Sequence, residues 1–141
     1  MIDEIGLRDT SERFYAAAHA VVHGNEGPML AVWSHSDEAS YCDPRGELVA
    51  GWGALETYWR RAAAINAAAP AGIRATWQIK HTVVNGNLAY VVALEEVRHE
   101  RDQSIMTARA THIYQREEGG AWRLLHRHTD AAPRVSPFEQ A

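Results

Sequence analysis

Asp43 is the residue of this chain best placed for acid–base chemistry. It stands in the run Ala39-Ser40-Tyr41-Cys42-Asp43-Pro44-Arg45-Gly46, at a turn between an extended segment and a helix. A carboxylate at the edge of an apolar pocket is partly desolvated, which favours its neutral form and carries its pKa toward neutrality. There it can take a proton from one atom and return it to another. The competing reading is an Asx-type turn residue ahead of Pro44, and the sequence leaves both open. The eight histidines raise a second kind of chemistry. His126 and His128 put two imidazoles on one face of an extended segment, but a zinc site needs a third and usually a fourth ligand. His112 points the opposite way by alternation, and no cysteine or His-x-x-Glu pattern completes the set. No metal and no cofactor is therefore expected. Cys42 lacks an adjacent base, so a nucleophilic thiol is not expected either.

The elements around these residues are legible from periodicity. Asp9-Thr10-Ser11-Glu12 reads as a capping box opening a helix whose apolar stripe is Phe14, Ala17, Ala18, Val21 and Val22, stopped at Gly24. A short second helix has Pro28 in its first turn and ends at Leu30, Val32 and Trp33. Short strands over 39–42 and 47–50 flank the Asp43 turn, and a third helix over 53–69 carries Leu55, Tyr58, Trp59, Ala62 and Ile65. Four extended runs follow: 76–84, 88–98, 105–115 and 122–129, with a hairpin signal at Asn85-Gly86. On the run from Leu88, the face Tyr90, Val92, Leu94, Glu96, Arg98 and the face Val91, Ala93, Glu95, Val97 are both apolar in the middle, so neither can be wholly exposed. One face covers the helices and a pocket; the other is expected to meet a second subunit, giving a homodimer through the outer sheet face.

Bulk properties bound the class. The 141 residues fit a single domain, expected over 5–132 with a loose tail over 133–141. Hydrophobic content of 46% and charged content of 23% are those of a soluble globular chain. A net charge of -4 with scattered arginines and only Lys80 as lysine argues against nucleic-acid binding. No apolar run approaches the ~20 residues that cross a bilayer, so no membrane partner is expected. The acidic start and the single cysteine fit a cytoplasmic protein.

The order helix–helix–hairpin–helix–strands resembles the nuclear-transport-factor-2-like superfamily, and within it the SnoaL-like and ketosteroid-isomerase-like branch. The resemblance runs from Ser11 to Asp130, on the landmarks Ala31-Val32-Trp33-Ser34-His35-Ser36-Asp37-Glu38, Gly51 with Tyr58-Trp59-Arg60, and Trp122-Arg123-Leu124-Leu125-His126-Arg127-His128. The closing stretch is also similar to the calmodulin-kinase association domains of the same superfamily. The resemblance implies a cone-shaped α+β barrel, with three N-terminal helices packed on a curved, mostly antiparallel sheet. Ketosteroid isomerases carry their proton-shuttling Asp in an Asp-Pro-aromatic-Gly turn, similar to Asp43-Pro44-Arg45-Gly46. Their oxyanion tyrosine falls at His19, their protonated acid at Ala110, and two supporting tyrosines at His35 and Trp59. Alanine donates nothing, so steroid isomerisation itself is not expected, and His19 or a His19–His35 network stands in as donor. The same alignment turns Tyr90, Val92, Leu94, Glu96, Ala108, Ala110, His112, Tyr114, Leu125 and Arg127 inward. With Tyr58 and Trp59 they form an aromatic cavity in which Glu96 and Arg127 pair with each other or hold a ligand. Two functions follow: an isomerase, cyclase or dehydratase acting on a small carbonyl compound with Asp43 as general base, or a non-catalytic small-ligand-binding or assembly domain.

Overall fold

A computed structural model describes residues 2–70 and 72–132 of the chain. The expected tail over 133–141 lies outside the described residues. The elements are α1 (Ile2–Val22), α2 (Gly27–Val32), β1 (Ser40–Cys42), β2 (Leu48–Ala50), α3 (Trp52–Ala68), β3 (Ile73–Asn85), β4 (Leu88–His99), β5 (Ile105–Arg116) and β6 (Trp122–Ala131). The strands form one six-stranded sheet in the order β2-β1-β6-β5-β4-β3, leaving β2 and β3 at its edges. Every neighbouring pair is antiparallel except β1 with β6. The α+β class read from the sequence is the observed one. No helix among the described residues is long and apolar enough to cross a membrane.

The first helix corrects one expectation. Asp9-Thr10-Ser11-Glu12 does not open α1; the helix starts at Ile2 and passes straight through the run. Continuing it toward the N-terminus buries Leu7, and Thr10 turns its hydroxyl back onto the Gly6 carbonyl 2.9 Å away, as a mid-helix threonine does. The far end behaves as read: Gly24 stops the helix with φ +88, and a Cβ there would lie 2.9 Å from the Ala67 Cβ of α3. Helix α2 carries Pro28 in its first turn, and α3 begins after Gly51, whose φ of 87 suits glycine.

The sheet face that packs on the helices is the second correction. On β4 the buried positions are Ala89, Val91, Ala93 and Glu95, while Tyr90, Val92, Leu94 and Glu96 lie on the opposite, outer face. The residues of this face are small at 89, 93, 108 and 110, and Ala89 and Val91 join the buried cluster that holds Phe14 and Tyr15. On β5 the inward set is Ala108, Ala110, His112 and Tyr114, as the resemblance implied. On β6 it is Trp122, Leu124, Arg127 and Thr129, not Leu125. Pairing shows why: Tyr114 faces Leu124 but Ile113 faces His126, so Leu125 is the extra residue of a β-bulge. The bulge keeps Leu124 and Arg127 on the same face, which strict alternation forbids. A similar extra residue, Lys80, sits in β3 between Ile79 and His81.

Candidate functional site

The helix α1 and the edge strand β3 stand apart and leave a cleft of about 800 Å³. Arg8, Glu12, Tyr15 and His19 line it from α1, and Ile73, Ala75, Trp77 and Ile79 from β3. Tyr15 and His19 recur at a spacing of four, which puts both on the same side of the helix. Trp77 alternates with Ala75 and Ile79 on β3, and its ring stacks on Tyr15 at 4.5 Å and 9°. Trp77 nonetheless remains 41% exposed, because it sits on an edge strand.

Behind Tyr15 lies a buried polar chain. Tyr15 donates its hydroxyl to Glu95 at 2.6 Å, and Arg127 holds the same carboxylate bidentately, at 2.7 and 2.8 Å. Arg127 also donates to His112 Nε2 at 2.6 Å. A guanidinium only donates, so Nε2 accepts, and the imidazole proton sits on Nδ1, which donates to the Tyr114 hydroxyl at 3.0 Å. Ser11 donates to that hydroxyl as well, at 3.2 Å. The Arg127 guanidinium lies over the Phe14 ring, 4.8 Å from its centroid.

These contacts fix the protonation states. Burial raises the Glu95 pKa, but the hydrogen bonds and charge of Arg127 outweigh it and hold the carboxyl below its ordinary range. Burial pushes Tyr15 well above an ordinary tyrosine, reinforced by the Glu95 charge, and burial likewise pushes Tyr114 up to about 12. Burial, then the Arg127 charge, drives His112 well below an ordinary imidazole. The chain is a charged pair, a neutral imidazole and two protonated tyrosines joined by hydrogen bonds, with Arg127 Nε buried and without one.

Asp43 is placed elsewhere. It is buried in the β1–β2 turn, where its carboxylate accepts from the backbone N–H groups of Arg45 and Glu47, both at 3.0 Å, and from the Tyr58 hydroxyl at 3.2 Å. Burial alone would raise its pKa; those hydrogen bonds outweigh it and the pKa is lowered. That direction is opposite to the one a general base requires. The interior beside it is filled: Tyr41 stacks on Trp59 at 5.5 Å and meets Tyr58 edge-on at 5.4 Å. Asp43, Tyr58 and Trp59 are not among the residues lining the α1–β3 cleft.

The remaining candidates divide. His19 lines the cleft. His35 instead donates to the Leu30 carbonyl at 2.7 Å, closing the last turn of α2, and stacks on Trp52 at 3.9 Å. His112 and Arg127 are inward, as expected, and are joined to each other, but the carboxylate partner of Arg127 is Glu95 and not Glu96. Glu96 lies on the outer face beside Arg98, 3.7 Å away, and Tyr90 is exposed on that face. Sequence reasoning passed over Tyr15, Trp77 and Glu95; the i, i+4 pair of Ser11 and Tyr15 on the buried side of α1 was the available signal. It also left His126 and His128 without a third ligand. The parallel pairing of β1 with β6 sets Cys42 against His128, and the ligand atoms of Cys42, His126 and His128 lie within 4.8 Å of one another.

The helices lie against a mostly antiparallel sheet, with a cleft between the first helix and edge strand β3. The chain belongs to the SnoaL-like domain family, whose model matches residues 8–132. No curated protein matches it by sequence. Among solved structures, a Thiobacillus denitrificans protein provisionally named a calcium/calmodulin-dependent protein kinase type II association domain is 22% identical, with a TM-score of 0.73 over 88% of this chain and 93% of that one. The CaMKII hub of S. rosetta is 15% identical, with a TM-score of 0.68 over 90% and 95% of the two chains. A Streptomyces avermitilis protein from the NTF2-like family, provisionally named a dehydratase, is 16% identical, with a TM-score of 0.69 over 93% and 97%. Similarity at these identities is similarity of fold.

Proposed function

We propose that this SnoaL-like domain binds a small, flat, partly apolar molecule in the cleft between α1 and β3 and does not transform it. The observation that carries the reading is the stacked Tyr15–Trp77 wall on a cleft of about 800 Å³, within the range that accepts a drug-sized ligand. An aromatic ring or polyketide-like fragment extends that stack, and Arg8, Glu12 and His19 supply polar handles at the rim. The groups behind the wall argue for binding over chemistry. General acid–base work needs a group with a pKa near the working pH and a free lone pair or proton. Glu95, Arg127, His112 and Tyr15 are bonded to one another, and Asp43 is held by its own turn.

The experiment is a thermal-shift screen of small carboxylates, phenols and polyketide fragments, followed by product analysis of each hit. Binders are expected to raise Tm and to be recovered unchanged. Trp77→Ala is expected to weaken a cleft binder about tenfold, the ~1.4 kcal/mol of one stacked contact, while leaving the fold intact. Consumption of a hit by the protein, abolished by Asp43→Asn, would restore the isomerase or dehydratase reading. The outer sheet face, with Tyr90, Val92, Leu94 and Ile113, is the surface this reading gives to a second copy of the chain.

A further inference from the structure

We propose that Cys42, His126 and His128 form a zinc-type metal site on the outer face of the sheet. The three come from paired positions: β1 runs parallel to β6 with Ser40 opposite His126 and Cys42 opposite His128. Tyr41 points inward and is buried, which turns its neighbours Ser40 and Cys42 to the other face. The bulge at Leu125 puts Arg127 inside, so His126 and His128 both turn outward. One ligand atom from each residue falls within 4.8 Å of the other two. Tetrahedral zinc, with bonds of about 2.0–2.3 Å, needs its ligands roughly 3.5 Å apart, so the site must close by about 1 Å on binding.

A second observation points the same way. Ser40 Oγ lies 2.8 Å from His126 Nδ1. With the Nδ1 proton given to Ser40, the ring is fixed and Nε2 is left as the metal ligand, the outer-shell arrangement that metal-binding histidines use. Cys42 is a free thiol, half-buried, and His128 is exposed, so an ion has a path in. One thiolate with two imidazoles selects zinc, or its spectroscopic substitute cobalt(II), over magnesium or calcium. Three protein ligands leave the fourth position to water or an anion.

The test uses the full chain, reduced and stripped with chelator. Cobalt(II) titration is expected to give a thiolate-to-cobalt charge-transfer band and tetrahedral d–d absorption that saturate at one equivalent, both erased by added zinc. Cys42→Ser is expected to lose the charge-transfer band with an unchanged circular dichroism spectrum. His126→Ala and His128→Ala should lose tetrahedral absorption, and Ser40→Ala should weaken zinc binding about ten- to hundredfold. His81→Ala, remote on β3, should change nothing. Absence of the charge-transfer band in the native chain, or equal zinc retention by the native, Cys42→Ser and His126→Ala proteins, would overturn the site and leave adventitious surface binding.

Discussion

The Asp43 carboxylate is buried in its turn and accepts from the Arg45 and Glu47 backbone N–H groups and the Tyr58 hydroxyl. Its Asp-Pro-x-Gly turn was legible, because turn chemistry is local. The Tyr58 hydroxyl that joins the turn's own N–H donors was not, since it reaches in from α3. Asp43→Ala is expected to cost about 2–3 kcal/mol in urea unfolding, the magnitude of hydrogen bonds to a charged acceptor lost from a buried site. The titration of the folded protein has a worked-out sign. The pKa values of His112, Glu95 and Asp43 are all lowered on folding. Each therefore contributes stability that is complete above its unfolded pKa and lost as pH falls toward its folded one. Stability should begin to drop below about pH 6.5 as unfolded His112 takes a proton, at up to ~1.4 kcal/mol per pH unit, and steepen below about pH 4.5 through the two carboxylates. Urea melts across pH 4–8 check this, and NMR should place the protonation of His112 in the folded state below that of an ordinary imidazole.

At the level of elements, strand and helix boundaries followed from periodicity to within a few residues, apart from the early start of α1. Face assignment did not. Both sides of β4 read as apolar, and only contacts from outside the strand, such as that of Tyr15 of α1 with Glu95, decide which is inside. On β6 the decision rests on Leu125, an extra residue that alternation cannot reveal. Glu95 and Arg127 clamp β4 to β6 across β5, with Arg127 only 8% exposed. Arg127→Ala leaves Glu95 buried and unpaired and is expected to cost about 3–5 kcal/mol, whereas removing both partners should cost less than the sum of the single changes. Gly24→Ala combines a positive φ with a contact on Ala67 and is expected to lose about 2 kcal/mol by thermal unfolding, loosening α1 from α3.

For the whole molecule, the fold was legible because a few landmarks tie its order of elements together. The cleft was not, because it is a space between α1 and an edge strand rather than a motif. The outer face bears on assembly. If two copies meet through it, Leu94→Glu should shift the sedimentation of the chain to that of a monomer without altering its circular dichroism, while the unsubstituted chain sediments as a dimer at micromolar concentration.

Losing a residue from mid-strand ordinarily swaps the two sides of everything beyond it. In β6 there is a spare. Without Leu125, His126 would still face Ile113 and Leu124 would still face Tyr114, so the guanidinium and the imidazoles would keep their separate compartments. The strand is therefore expected to tolerate loss of this one residue and keep its architecture, forfeiting only some local twist. A protein lacking Leu125 is expected to express and fold, whereas one lacking Thr111 from the regular strand β5 is not; soluble yield and far-ultraviolet spectra of the two deletions make the comparison.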